Sequence, residues 1–399
     1  MNREFKVFKL GNVANIFAGG DKPKVFSELK NNEFKIPVFA NGETKDGLQG
    51  YTNKPKVTEP AVTVSARGTI GYAVLRKEPF VPIVRLLTLI PNSEKLNVSY
   101  LYYYLTLYRQ KGIGSSQAQL IAPELSNRTI SIPSLPTQKA IAKVLSDLDA
   151  KIELNNKINR ELEAMAKTLY DYWFVQFDFP NANGKPYKSS GGKMVYNAEL
   201  KREIPEGWEV KKLGDIIKKY ADKSTHIESK NIINEGSYPV ITQDNGDLIS
   251  GFTNENNPIE DVPLIVFGDH SCTLRYIDFP FFRGADGTQI MYFEEDLTIY
   301  VYLFLQMVIA QIPGYGKYER HYKYLKEFNI IIPKANFLSE FQKIVEPIFN
   351  KISKSRLQNQ HLATLRDWLL PMLMNGQVTV KEAEEKLSMA AEPSVKYGN

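Results

Sequence analysis

The chain has 399 residues, of which 43% are hydrophobic, so it is long enough for two or three domains with their own cores. A single cysteine, Cys272, excludes an internal disulfide framework, and residues 1–9 lack the apolar core of a signal peptide, so we expect a cytoplasmic protein. The longest apolar run, residues 299–312, is too short to span a bilayer, which predicts no membrane association; the net charge of +5 permits a nucleic-acid partner without requiring one.

The first predicted domain, residues 1–135, mixes short β-branched and aromatic runs with glycine and proline. The runs at 61–64 and 84–89 predict strands, and the segment 98–108 predicts a helix. This mixture indicates a compact α+β module.

A long heptad pattern follows Ile130-Ser131-Ile132-Pro133 and predicts a helix over residues 138–174, within a spacer segment 136–177. At about 1.5 Å per residue such a helix is about 55 Å long. The predicted seam residues are Ile141, Leu145, Leu148, Ile152, Asn155, Asn159, Leu162 and Leu169. Residues 178–207 are rich in Pro, Gly, Asn and Ser and predict a surface linker.

The chain then repeats itself. Ile330-Ile331-Ile332-Pro333 follows the first such motif by 200 positions, and Gly251-Phe252-Thr253 follows Gly50-Tyr51-Thr52 by 201. The repeat predicts a second α+β domain over 208–335, with strands near 263–268 and 289–293 and a helix at 298–309. A second spacer helix is predicted over 336–376, before a tail at 377–399. Its predicted seam residues are Val345, Ile348, Ile352, Ser355, Asn359, Leu362 and Leu369.

Both seams turn polar at the same two central positions, which favours pairing of the helices with each other over packing on separate cores. The seam leaves the polarity open, because Asn155 can face Ser355 in a parallel pair or Asn359 in an antiparallel pair. Two similar modules with pseudo-two-fold symmetry are typical of a protein that reads something in two halves.

The sequence contains no phosphate-binding glycine loop of either common type, and its four histidines are far apart. One cysteine cannot build a structural zinc site. We therefore expect a protein that is not itself an enzyme, with no cofactor and no metal.

Contact chemistry is concentrated in residues 314–326, where basic and tyrosine residues interleave; if helical, the basic residues would form one stripe for phosphates, with a solvated helix face as the alternative. The corresponding stretch 112–119 offers hydroxyls and amides instead. The candidate DNA-binding residues are Lys22, Lys24, Lys45, Tyr51, Arg67, Tyr72, Ser115, Ser116, Gln117 and Gln119 in the first module, and Asn245, Phe252, His270, Arg275, Arg283, Lys317, Tyr318, Arg320 and Lys323 in the second.

Several motifs resemble the specificity subunit of Type I restriction-modification enzymes over nearly the full length. They include Gly114-Ser115-Ser116-Gln117, Ile130-Ser131-Ile132-Pro133, Leu148-Asp149-Ala150-Lys151, Trp173-Phe174-Val175, Ile204-Pro205-Glu206-Gly207-Trp208 and Leu369-Leu370-Pro371. The second copy departs from the pattern, because 314–320 lacks the Ser-Gln element.

The resemblance implies two target-recognition domains, each reading one half of a bipartite asymmetric site in double-stranded DNA, and spacer helices in an antiparallel intramolecular coiled coil. It also implies two modification subunits, which carry S-adenosylmethionine and methylate adenine, and restriction subunits, which hydrolyse ATP and cut DNA. The specificity subunit itself would be non-catalytic.

Three alternative functions compete with this interpretation of the sequence. A specificity subunit of a simpler system, with a fused methyltransferase-nuclease, would have the same signature. A methyltransferase would need a cofactor loop and an Asn-Pro-Pro-aromatic motif, and both are absent. A coiled-coil adaptor without DNA affinity would explain the helices but not the duplicated modules.

Overall fold

A computed structural model of the chain describes residues 5–111, 119–218, 220, 226–246, 248–284, 287–294 and 296–391. They form two compact units. Within the described residues, one unit runs to Glu153 and resumes at Gln360, and the other comprises Leu154–Asn359. The division falls inside both long helices.

The elements follow the α+β composition predicted from the sequence. The strands are β1 (Lys6–Lys9), β2 (Ala14–Ala18), β3 (Ile36–Phe39), β4 (Leu48–Thr52), β5 (Ala61–Val64), β6 (Ala73–Arg76), β7 (Val81–Pro82), β8 (Leu87–Pro91), β9 (Thr129–Ile132), β10 (Met194–Asn197), β11 (Arg202–Pro205), β12 (Glu209–Lys212), β13 (Tyr238–Ile241), β14 (Gly251–Thr253), β15 (Leu264–Gly268), β16 (Leu274–Ile277), β17 (Phe282–Arg283), β18 (Thr288–Met291) and β19 (Asn329–Ile332). The α-helices are α1 (Val98–Leu107), α2 (Ala122–Asn127), α3 (Leu135–Tyr170), α4 (Leu213–Ile216), α5 (Leu297–Val308), α6 (Tyr322–Leu325), α7 (Ala335–Met374) and α8 (Val380–Ala391).

The two modules share one topology. The first has a sheet of order β2-β8-β5-β6, a second sheet β4-β3-β7 and the pair β1-β9. The second has β16-β15-β18, β14-β13-β17 and the pair β12-β19. In each module a parallel contact, β3 with β7 or β13 with β17, joins otherwise antiparallel strands. The predicted repeat is therefore a repeat of structure.

Most of the predicted elements are confirmed within one or two residues. The predicted strand 61–64 is β5, which is buried along its whole length, and the predicted helix 98–108 is α1. Asn97 caps α1 by accepting a hydrogen bond from the amide of Tyr100. The run 84–89 differs, because Val84 and Arg85 have positive φ angles and form a turn before β8 begins at Leu87.

The first spacer helix starts earlier and ends differently than predicted. It begins at Leu135, with Pro136 in its first turn, where a missing amide hydrogen costs nothing. After Tyr170 it continues as a π-helical turn, Asp171–Val175, which buries Trp173 and Phe174.

Every predicted seam position on α3 and α7 is buried or half-buried. In the first unit Ile141, Leu145 and Leu148 share one core with Leu369 and Leu373. The heptad prediction is confirmed at these positions, since the side chains that repeat every three and four residues are the ones that leave solvent.

The helix segments of the second unit are antiparallel. Asn155 bonds to Asn359 at 2.8 Å, Glu163 bonds to Arg356 at 2.6 Å, and the ring of Tyr170 lies 6.3 Å from that of Phe341. Partner numbers fall as residue numbers rise, which is the antiparallel choice that the seam left open.

The segment 178–207, expected as a surface linker, is folded onto the core of the second unit. It forms the antiparallel hairpin β10-β11, and the buried ring of Phe179 stacks on Trp208 at 5.0 Å and on Tyr187 at 4.6 Å. Its glycines and prolines mark turns between aromatic anchors rather than an unattached linker.

Helix α8 belongs to the first unit. Thr379 and Glu382 form a capping box, in which the amide of Glu382 donates to the Thr379 hydroxyl and the amide of Thr379 donates to the Glu382 carboxylate. Ala383 is fully buried against the first core. Among the described residues, no helix combines the length and apolar character needed to cross a membrane.

Candidate nucleic-acid interface

Three loops of the first module meet at one place, and several candidate residues lie on them. The side-chain carbonyl of Asn41 accepts from the amide of Ala66 at 2.7 Å. Arg109 donates to Glu43 at 3.0 Å and to the carbonyl of Ile70 at 3.0 Å. We call this set the first loop cluster; it comprises residues 40–47, 65–72 and the described ends of the third loop, 109–111 and 119–120.

A glycine closes the first of these loops. The carbonyl of Gly47 accepts from the amide of Ala40 at 2.9 Å. Gly47 has a φ of 78°, and a Cβ added there would lie 2.1 Å from the oxygen of Ala40. Lys45 and Asp46 before it also have positive φ angles, 49° and 54°. Lys45 is exposed at this tight turn.

A buried arginine supports this turn through a hydrogen bond to its backbone. Arg76, on β6, donates to the carbonyl of Asp46 at 2.6 Å and to the Thr63 hydroxyl at 3.0 Å, and its guanidinium lies 3.6 Å from the ring centroid of Phe39. Burial lowers the pKa of Arg76 to about 10, so the group stays charged at neutral pH. Tyr72 adds a hydrogen bond to the carboxylate of Asp46 at 2.8 Å.

The second module gathers equivalent loops. The amide of His270 donates to the side chain of Gln243, and its Nδ1 lies 3.1 Å from the carbonyl of Glu319. The imidazole stacks on the ring of Tyr318 at 4.5 Å with 10° between the planes. We call this set the second loop cluster; it comprises residues 242–246, 268–273 and 312–321.

An arginine also supports this cluster. Arg275, on β16, is 8% exposed and donates to the carbonyls of Asp244 and, at 3.4 Å, of Gly246. It therefore occupies the role that Arg76 has in the first module. Arg275 was a candidate for DNA contact, but its guanidinium donates to carbonyls of the loop 242–246. Arg76 was not a candidate. The sequence signal that could have identified it is the presence of one arginine in the corresponding strand of each repeat.

The remaining candidates of the first module fall in two places. Arg67 and Gln119 lie in the first loop cluster and bond to each other, with the guanidinium Nη2 2.9 Å from the Gln119 side-chain oxygen. Lys22 and Lys24 are exposed near β4, where Tyr51 is half-buried, and the ammonium of Lys22 lies 3.5 Å from the ring centroid of Phe26. Ser115, Ser116 and Gln117 lie outside the described residues.

In the second module Phe252 is half-buried on β14, as Tyr51 is on β4, and Asn245 is exposed in the second loop cluster. Arg283 follows Phe282 on β17 and donates to the imidazole of His226 at 2.7 Å.

The basic stretch 314–326 is not one helix. Only Tyr322–Leu325 is helical, because Gly314 and Gly316 adopt positive φ angles of 75° and 81°. The predicted single stripe is therefore wrong. Lys317, Tyr318 and Arg320 instead project from an exposed loop, and Lys323 lies on α6.

A buried histidine anchors that loop. His321 is fully buried, its amide donates to the carbonyl of Asp269 at 2.9 Å, and its Nε2 lies 3.1 Å from the carbonyl of Lys317. The exposed cations on either side are thus held by contacts to the neighbouring loop.

These features define a protein with two similar recognition modules, each presenting three convergent loops on a common α+β scaffold. A family model described as the Type I restriction modification DNA specificity domain matches residues 2–164 and 205–366. The chain belongs to this family and is a specificity subunit of the type I restriction-modification class, with two recognition domains.

Individual relatives agree. The chain is 28% identical to the type I restriction enzyme MjaIX specificity subunit of Methanocaldococcus jannaschii, over 91% of this chain and 88% of the relative. It is 36% identical to a putative type I specificity subunit of Mycoplasma pneumoniae, over 43% of this chain and 51% of the relative. The fold is similar to that of the S subunit of a type I restriction-modification system from M. genitalium, with a TM-score of 0.61 and 19% identity over 93% of this chain and 96% of that one. These relatives favour the type I class over a simpler fused system.

Proposed function

We propose that each loop cluster contacts one half of a bipartite, asymmetric site in double-stranded DNA. The observation that carries this proposal is that equivalent loops on equivalent scaffolds bear unlike side chains. The first cluster presents Lys45 and Arg67 where the second presents Asn245 and His270. Different donors and acceptors at corresponding positions suit two different half-sites.

These candidate side chains divide into two proposed roles. Arg67, Gln119, Asn245 and Arg320 have the planar donors and acceptors that recognise base edges. The lysines are suited to phosphates, because an ammonium is a point charge without a directional fork. The lysines in question are Lys22, Lys24, Lys45, Lys317 and Lys323. Ser115, Ser116 and Gln117 remain candidates on the sequence alone.

Other candidates are proposed to act through neighbours. Arg275 positions the loop that carries Asn245, since its guanidinium is buried against that loop's carbonyls. Tyr72 positions the turn at Lys45 through Asp46. Tyr51 and Phe252 occupy matching strand positions and offer ring edges beside the loops.

The helices α3 and α7 are proposed to set the separation of the two half-sites as an intramolecular coiled coil. At about 1.5 Å per residue, α3 is about 54 Å long, which is about one and a half turns of B-DNA. The buried seam and the antiparallel contacts at Asn155 and Tyr170 support this role.

Protein partners are proposed for the outer face of α3. Leu154, Ile158 and Met165 are 51%, 36% and 59% exposed and lie on one face of the helix, at spacings of four and seven residues. Exposed apolar side chains in a row are typical of a docking surface. We propose that modification subunits dock on these helices, two per specificity subunit, and that they methylate adenine while restriction subunits supply ATP-dependent cleavage. The specificity subunit would contribute no catalytic group.

The spacer role is tested by inserting four residues after Asn155. We expect the preferred gap between half-sites to change, or binding to be lost, while both modules stay folded. The matched control inserts the same residues at Asn183, an exposed turn position of the second unit. An unchanged gap with the Asn155 insertion would refute the spacer role.

A further inference from the structure

The second unit contains a cavity of about 350 Å³ that no part of the proposed function above uses. Its walls include Lys218, Tyr220, Arg283, Gln289, Tyr322 and Lys326. Among the described residues that line it, none is acidic. The cavity is thus rich in cations and hydrogen-bond donors, which favours an anion over an apolar ligand.

The cations are held in place by their neighbours. Lys218 bonds to Glu294 at 2.7 Å, outside the cavity lining, which offsets one positive charge. Arg283 donates to the imidazole of His226 and, at 3.4 Å, to the carbonyl of Thr288. Since the ion pair offsets Lys218 and Arg283 is engaged by its own neighbours, Lys326 is the cation on which the inference rests.

The ammonium of Lys326 lies 5.0 Å from the ring centroid of Tyr322, another lining residue. A close approach of two segments fixes the backbone of Lys326, because the amide of Gly214 donates to the Lys326 carbonyl at 2.9 Å. A Cβ at Gly214 would lie 3.1 Å from the Cβ of Lys326. Gly214 thus lets the two segments meet at the cavity edge.

The first module has the same framework without the charges. Gly11 approaches Ser126 as Gly214 approaches Lys326, with a Cβ at Gly11 lying 3.0 Å from that of Ser126. Pro82 pairs with Phe39 as Arg283 pairs with Ile241, and Asn15 faces Ile90 as Lys218 faces Tyr292. The positions of Lys218, Arg283 and Lys326 are therefore occupied in the first module by Asn15, Pro82 and Ser126, which carry no charge. The shared fold does not require the cations, so they belong to the second module alone.

The cavity adjoins the second loop cluster. The amide of Tyr322 donates to the side chain of Asp269 at 2.8 Å, and Asp269 belongs to that cluster. Ile241, which faces Arg283, directly precedes the loop 242–246. A DNA backbone that contacts the second loop cluster would therefore also lie close to the cavity.

We propose that this cavity binds a backbone phosphate of DNA, so that the second recognition domain has a phosphate contact at a position where the first has none. The inference rests on the proposed function. Lys326 supplies charge, while Gln289 and the hydroxyl of Tyr322 supply directional donors for phosphate oxygens. The volume falls within the range of about 300–1,000 Å³ in which proteins hold small ligands, so it is ample for one phosphate and its sugar.

The test uses the variant Lys326→Ser, which installs the residue found at the matching position of the first module. The affinity of the full chain for a duplex of mixed sequence is measured between about 50 and 200 mM salt. We expect the slope of log affinity against log salt to become shallower by about 0.9, the value for one lost phosphate contact. Lys326→Arg should keep the wild-type slope, and Lys185→Ser, which removes an exposed lysine away from the loops, is the matched control.

An unchanged slope in Lys326→Ser, with normal binding by the wild type, would overturn the inference and leave the proposed function intact. Absence of salt-dependent binding by the wild type would overturn both. Inorganic phosphate is the second probe. If it raises the Tm of the wild type but not of Lys326→Ser while the DNA slopes are equal, the cavity is a site for a free anion and not for DNA.

Discussion

Asn155 and Asn359 are joined by a hydrogen bond of 2.8 Å, from the amide of the first to the side-chain oxygen of the second. Asn155 also donates to Gln358, and Asn359 donates to Asn156, each at 2.8 Å. This polar layer lies in the centre of the seam, where Asn159 and Ser355 are also polar, and apolar seam positions flank it. Buried amides must find partners, so the layer disfavours any register that separates them.

Asn155→Leu should therefore destabilise the protein by about 1–3 kcal/mol, because the oxygens of Asn359 and Gln358 lose their donor. The double variant Asn155→Leu with Asn359→Leu should regain part of that loss, since an apolar pair fills the same space. Urea unfolding of the full chain measures both. Lys157→Leu, at an exposed position of the same helix, is the control and should be nearly neutral. Equal stability of Asn155→Leu and the wild type would show that the layer does not hold the register.

Arg76 and Arg275 should each be required for the order of one loop cluster. Arg76→Ala removes the donors to Asp46 and Thr63 and should cost about 2–4 kcal/mol, given that hydrogen bonds from a charged group are each worth about 1.5–3 kcal/mol. Arg76→Lys should recover little, because one ammonium does not reproduce the planar fork.

The measurements are the free energy of unfolding and the proteolysis rate of each loop cluster. We expect Arg76→Ala to expose the first cluster only, and Arg275→Ala the second only. Arg160→Ala, at an exposed position of α3, is the control. Wild-type protection in both alanine variants would remove the positioning role assigned to these arginines.

Tyr72 should make the protein less stable in alkali. Partial burial and the hydrogen bond to Asp46 raise the pKa of Tyr72 to about 12, from about 10 in an unfolded chain. The folded state thus holds the proton more tightly. Its contribution is complete below about pH 10 and is lost as the pH rises toward about 12. In denaturant titrations, Tyr72→Phe should therefore lose less stability than the wild type between about pH 10 and 12, the edges of this window. Parallel curves would contradict the assignment.

Lys317→Ala should weaken DNA binding and lower its salt slope by up to about 0.9, the value for one lost phosphate contact. Arg320→Ala should weaken binding through the loss of a base-edge contact. Both side chains are exposed on the loop that His321 anchors. A gel-shift titration at several salt concentrations provides the measurement, with Lys185→Ala as the control. If neither change alters affinity or slope, the loop is solvated surface and not part of the interface.

The sequence predicted the spacer helices well, because the period of apolar side chains decides which face is buried whatever the partner. Leu145 and Val345 are fully buried as the heptads require. The seam did not determine the direction of pairing, since Asn155 had an acceptable partner in either polarity, whereas the resemblance implied an antiparallel pair. The side-chain contacts with Gln358 and Asn359 are among those that distinguish the two.

The loop clusters were less predictable, because their form depends on hydrogen bonds between residues distant in sequence. The buried position of Arg76 depends on an acceptor 30 positions away, at Asp46, which no local pattern reveals. The helix expected for the basic stretch 314–326 is absent for a local reason. A spacing of three suggested a helix, but Pro313, Gly314 and Gly316 favour turns, and the helix begins only at Tyr322.

The central claim is that one chain supplies two different half-site readers to a modification complex. The most direct measurement is to co-express the chain with its methyltransferase partner and to map methylated adenines across a host genome by single-molecule sequencing. We predict a bipartite, asymmetric motif with a fixed gap, which the four-residue insertion after Asn155 changes or abolishes. A contiguous motif, or no methylation from a well-formed complex, would contradict the account.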